Sequence, residues 1–271
     1  MISAVRSVRA TSRNMAVALA AVSRLRSKRA ALLLCLALAA CEPGQPKIDD
    51  EQEKAGPFPA ADRPVAHIIS SRWSTEEARD RLNEAGEVMD KAAIARGMTV
   101  ADIGAGEGYY TIRLASRVGK AGRVVAEDIV PQVRDALAQR VVRDRLDNVS
   151  VKLGDPANPK LPDKSFDRVL MVHMYHEIEQ PYEFLWRLRP SLKPDGLVVV
   201  VDANRATQNH GTPPALLACE FAAVGYRQIT MENLPSAGGY LASFRPQGPR
   251  PDPETIKRCQ LAPAAAPTAQ R

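Results

Sequence analysis

Between residues 65 and 245, short apolar runs alternate with helix-patterned stretches, and this alternation constrains the fold more than any other feature of the chain. The spacing predicts a helix from Ser74 to Ile94, opened by a Ser74/Glu77 capping box, and then a strand over Met98–Ile103. Helices are expected over Tyr109–Val118, Pro131–Arg145, Pro181–Leu192 and Pro213–Val224. The intervening runs Arg123–Ala126, Val149–Leu153, Asp167–His173 and Leu197–Val201 read as strands. The run Leu197–Val201 has no polar face, as a strand covered on both sides requires. Strands that alternate with helices of this length pair in parallel, with helices on both faces of the sheet. Two closing strands, Tyr226–Met231 and Tyr240–Phe244, are joined by a link too short for a crossover helix. They are expected to pair antiparallel, which makes an α/β fold of seven strands, mostly parallel, with one antiparallel edge strand.

The flanks differ from this core. The chain carries 37 Lys and Arg against 31 Asp and Glu, but seven of the basic residues and no acid lie in residues 1–40. Without that segment the balance is −1, so a basic nucleic-acid surface is excluded. Within it, Ala30–Ala40 is an apolar run of 11 residues behind Arg24, Arg26, Lys28 and Arg29. It is too short to cross a bilayer, which takes about 20 residues, but suits the apolar region of a secretory signal. The residues Leu38-Ala39-Ala40-Cys41 resemble the lipobox of bacterial lipoproteins. That resemblance implies removal of 1–40, acylation of Cys41 and a domain lipid-anchored on the periplasmic side of a bacterial envelope. A buried helix, or a mitochondrial presequence with the protein acting inside the cell, remains open. Residues 42–64 and 246–271 hold 11 of the 21 prolines and are expected to be a flexible linker and a mostly disordered tail around a 65–245 domain. A short helix around Cys259 is the one element expected in the tail. Cys219 and Cys259 then remain, either as a disulfide pinning the tail or as two unrelated thiols. No Cys/His group has zinc spacing, so no metal site is expected.

The residues that carry chemistry follow the first strand: Asp102-Ile103-Gly104-Ala105-Gly106-Glu107-Gly108-Tyr109. Glycines permit a tight strand-to-helix turn and close approach of a ligand to the backbone. The spacing is not the Gly-x-Gly-x-x-Gly dinucleotide fingerprint, and Asp102 and Glu107 beside the glycines suit a cation-bearing ligand better than a pyrophosphate. This makes a nucleotide-dependent oxidoreductase the weakest reading.

Four stretches in order, 102–115, 122–131, 153–178 and 192–202, resemble the class I S-adenosylmethionine (SAM)-dependent methyltransferases, and most of all their ubiquinone/menaquinone-biosynthesis type. The resemblance implies a Rossmann-like sheet and SAM as cofactor. It places Asp102, Gly104, Ala105, Gly106, Gly108 and Tyr109 around the methionine part, Asp128 on the ribose hydroxyls and Asp155 beside the adenine. Asp102 is equally suited to orienting loop amides, and Asp155 to a solvated loop. Methyl transfer from a sulfonium needs in-line positioning above all, and a base only if the acceptor starts protonated. The base candidates are His173, Tyr175 and His176 after the fourth strand, His173 being equally suited to a buried core histidine; His210 stands after the fifth. The expected acceptor is small or lipid-like. The alternative is an inactive lipoprotein that binds SAM, a nucleoside or an envelope partner through the same fold.

Overall fold

The computed structural model describes residues 56–68 and 75–260. The signal, the lipobox and Cys41 lie outside the described residues. The elements are α1 (Glu76–Arg81), α2 (Glu84–Lys91), β1 (Thr99–Ile103), α3 (Tyr109–Val118), β2 (Arg123–Asp128), α4 (Pro131–Arg143) and β3 (Val149–Leu153). They continue with β4 (Phe166–Val172), α5 (Pro181–Leu188), β5 (Leu192–Asp202), α6 (Pro214–Ala223), β6 (Tyr226–Leu234) and β7 (Gly239–Pro246). The first expected helix is two. Asn83 takes a left-handed φ of 51°, which an asparagine tolerates, and this breaks the helix between α1 and α2. Its cap is Thr75, whose hydroxyl accepts the Ala78 N–H, so the cap lies one residue after the expected Ser74.

The sheet runs β3-β2-β1-β4-β5-β7-β6, parallel except for β7. The α/β class with helices on both faces is as expected. The reversed strand β7, however, inserts between β5 and β6, so the edge position passes to β6. Helix α6 carries the chain past that gap before β6 starts, and the short link at 235–238 returns β7 into it. Along β5 the side chains alternate: Val198 and Val200 face α5 and α6, while Val199 and Val201 face α2 and α3. All four are fully buried, and each such side chain contributes roughly 1.5–3 kcal/mol.

Both flanks are more ordered than their composition suggests. Arg63, expected in a linker, is buried and donates to Glu220 Oε1 of α6 at 2.9 Å and to the Ile178 carbonyl at 3.1 Å. Tyr175 donates to the other Glu220 oxygen at 2.7 Å, so a buried polar node ties the 56–68 segment to the domain. Residues 246–260, expected to be disordered, pack against α5 and α6. Cys219 and Cys259 form a disulfide, Trp186 Nε1 donates to the Pro251 carbonyl at 2.8 Å, and Arg189 donates to the carbonyls of Gln247 and Pro249. Only a single turn of 3₁₀ helix, Pro253–Thr255, forms where a short helix was expected. Side-chain donors and a covalent bond order these segments, and apolar periodicity does not register such partners.

Candidate functional site

The C-terminal ends of β1, β2 and β4 open into one cavity of about 260 Å³. This is the edge at which open parallel sheets place ligands, because the strand-to-helix loops converge there. Gly104, Ala105 and Gly106 form one wall as the chain turns from β1 into α3. At Gly104 (φ 66°) a Cβ would stand 2.9 Å from Met174 Cγ, so the loop lies directly on the chain that follows β4. Gly108 does not line the cavity. It caps α3 at φ 91° over Leu137, so its part in the site is conformational.

Among the acids that line the cavity, Asp128, Asp102 and Glu127 are each held differently. Asp128 ends β2, and its carboxylate accepts the Gly106 N–H at 3.0 Å and the Val130 N–H at 2.9 Å. The loop amides thereby orient the carboxylate toward the cavity instead of forming a bare anion cradle. Asp102 accepts the Thr111 hydroxyl at 2.6 Å, and burial pushes its pKa up to about 6. Glu127 is 1% exposed, and burial, with the charge of Asp128 added, pushes it up to about 8. Its Oε1 is buried with no hydrogen-bond partner, a polar atom on the wall of a ligand cavity. Asp155 is the correction. Its carboxylate is half-exposed and paired with Lys160 Nζ at 2.7 Å, because a tight turn with Asn158 directs it outward, and its neighbour Pro156 lines the cavity instead.

The expected catalytic residues separate. His173 lines the cavity at a left-handed φ of 54°, and burial lowers its pKa. Tyr175 does not: it is fully buried, donates to Glu220 and packs on Phe221. His176 does not line the cavity either, since its Nδ1 is held by Asp202 at 3.0 Å. The physical reason is the 3₁₀ turn Tyr175–Glu177, which carries these two rings into the core behind the loop. The turn brings Glu177 to the cavity in their place.

Sequence reasoning missed Arg79 and Glu84. Arg79 lines the cavity, donates to both Glu84 oxygens at 3.0 and 2.6 Å and stacks 3.7 Å above the Tyr109 ring. Tyr110 donates to Glu84 at 2.9 Å, and Tyr109, itself a cavity residue, donates to Asp80 at 3.0 Å. Arg79 and Glu84 meet only because the helix breaks at Asn83, so periodicity carries no signal for this pair.

SAM fits the residues present. Asp128 can accept from hydroxyls, Ile129, Val130 and Pro156 supply an apolar wall for a flat ring, and the surrounding acids favour a cationic sulfonium.

Residues 101–200 match the family described as "Methyltransferase domain". The ubiquinone/menaquinone biosynthesis C-methyltransferase of Hydrogenovibrio crunogenus is 29% identical over 187 residues, covering 64% of this chain and 67% of that protein. An arsenite methyltransferase of Halobacterium salinarum is 29% identical over 114 residues, covering 41% of this chain and 28% of that protein. The chain spans between about a quarter and a half of the length of that protein and of the next relatives, such as nocamycin O-methyltransferase of Saccharothrix syringae, 45% identical over 27% of this chain and 26% of its own. Among solved structures, a SAM-dependent methyltransferase from Aquifex aeolicus superposes with a TM-score of 0.52 at 23% identity, over 63% of this chain and 97% of that one. The [4+2]-cyclase SpnF superposes with a TM-score of 0.54 at 17% identity, over 71% and 89%. One fold thus hosts more than one chemistry. With a seven-stranded Rossmann-like sheet, the glycine loop and the strand-end acid in place, the chain has the fold of the SAM-dependent methyltransferases and is similar to them over residues 101–200.

Proposed function

We propose that the protein transfers the methyl group of SAM to a small or lipid-like acceptor bound in the cavity between the glycine loop and the residues that follow β4. The observation that carries this reading is Asp128, a strand-end carboxylate fixed by two backbone amides at a cavity wall. Bound SAM supplies an electrophilic methyl carbon, and the chain's own residues do the rest. Asp128 holds the ribose end, Gly104 lets the ligand lie against the backbone, and the acid-lined wall favours the positive charge before transfer. Met174, Ile178 and Phe184 offer an apolar surface to the acceptor, in keeping with the quinone-type relative. His173, the one cavity-lining member of the three base candidates, takes the proton when the acceptor carries one.

Calorimetric titration of SAM and its demethylated product into the full-length chain tests this. Asp128→Ala is expected to weaken binding about 10- to 150-fold, the loss of a charge-assisted hydrogen-bonding group. Absence of binding by folded wild-type protein would overturn it.

We further propose, from the lipobox-like residues Leu38–Cys41, that the domain is held at a bacterial envelope through an acylated Cys41. The Cys219–Cys259 bond supports it, since structural disulfides persist in oxidising compartments. Metabolic labelling with a palmitate analogue checks this: label on wild type but not on Cys41→Ala supports the anchor, and an unlabelled wild type sinks it.

A further inference from the structure

We propose that His176, Glu177 and His210 form a binding site for a divalent transition-metal ion beside the cavity. His176 and Glu177 lie in the 3₁₀ turn after β4, and His210 ends the turn Thr207–Asn209 after β5. Adjacent parallel strands bring these turns together across 33 residues of sequence, a spacing that no metal motif encodes. One ligand atom from each side chain lies within 4.8 Å of the other two. Donors at about 2.0–2.1 Å around a tetrahedral ion stand roughly 3.3 Å apart, so closure takes a shift on the order of 1 Å.

A second observation points the same way. His176 Nδ1 donates to Asp202, at 3.0 and 3.1 Å from its two oxygens, and Asp202 is fully buried. The Asp202 oxygens also accept the Ala203 N–H at 2.8 Å and the Thr212 hydroxyl at 2.7 Å, so the carboxylate is fixed. A buried carboxylate behind a histidine sets the tautomer and ring orientation and leaves Nε2 with its lone pair, as it does behind metal-ligating histidines. The His176 and His210 rings meet edge to face with centroids 5.4 Å apart, and Glu177 adds the anionic donor. Two imidazoles and one carboxylate favour zinc, iron(II), cobalt or nickel over magnesium and calcium. Three protein ligands leave a coordination position open, which is the pattern of catalytic rather than structural sites. Glu177 also lines the cavity, so on the methyltransferase reading above the open position is offered to an acceptor oxygen.

The test uses chelator-treated full-length protein. Zinc is titrated by calorimetry, and cobalt(II) by its visible absorption, into wild type, His210→Ala and Glu177→Gln, with circular dichroism to establish that each is folded without metal. The expected result is one ion per chain, no binding of magnesium, and at least a tenfold loss of affinity in both variants. No saturable zinc or cobalt signal in folded wild type would overturn the site. So would equal affinity in wild type and both variants, which would put the ion elsewhere, for example on N-terminal thiols. Titration of SAM into the same samples separates the two readings: wild type that binds SAM but neither zinc nor cobalt sinks only the metal site.

Discussion

Replacing Glu127 by glutamine removes a proton-binding group from the cavity wall while nearly preserving its size. In the folded chain burial raises this carboxyl from 4.5 to about 8, whereas unfolding returns it to water. Between those values the native state holds a proton that the unfolded state has lost, so stability is highest below pH 4.5 and falls as pH rises toward 8. At about 1.4 kcal/mol per pKa unit, the loss from pH 5 to pH 8 comes to about 3–4 kcal/mol. Asp102, raised to about 6, adds a decline at lower pH, but wild type and variant share it. Urea denaturation of both proteins at pH 5, 6, 7 and 8 reads the effect. Wild type should lose about 3 kcal/mol more than Glu127→Gln across that range, with most of the divergence complete by pH 8. Parallel profiles, with a difference constant to about 0.5 kcal/mol, would refute the assignment of a protonated, buried Glu127.

Two further perturbations test the ordered flanks. Reducing the Cys219–Cys259 bond opens a loop of 40 residues' separation, which in the chain-entropy treatment costs about 4 kcal/mol; the urea midpoint should fall with dithiothreitol and in Cys259→Ser, and an unchanged midpoint would mean the tail adds nothing. Glu220→Ala strips the partner from Arg63, whose side chain is 0% exposed, and should cost about 3–5 kcal/mol, while Arg63→Met added to it should restore most of the loss. A double variant no more stable than Glu220→Ala would argue against a stranded charge.

The fold class was legible because it depends on local periodicity. Short apolar runs bounded by turn residues, such as Val198–Val201, suit strands covered on both faces, and Gly104 at φ 66° marks a turn that side chains other than glycine's resist. The place of Asp128 at the sheet edge was legible for a related reason: a residue at the end of a strand has its position set by the strand. Asp155 was not, because its direction is set by a turn with Asn158 and a pairing with Lys160, outside any regular element.

Pairings across the chain belong to the tertiary structure. Whether β7 or β6 took the edge depended on which gap in the sheet α6 left beside β5. Tyr175 and His176 sit in a stretch whose composition says pocket, yet a single 3₁₀ turn delivers one to Glu220 and the other to Asp202, and leaves the cavity to His173 and Glu177. The disulfide, the Arg63–Glu220 pair and the meeting of His176 with His210 join residues 40, 157 and 34 positions apart. Local sequence sets the conformation of each segment; only the packed sheet brings distant polar groups within reach and excludes the water that would otherwise satisfy them.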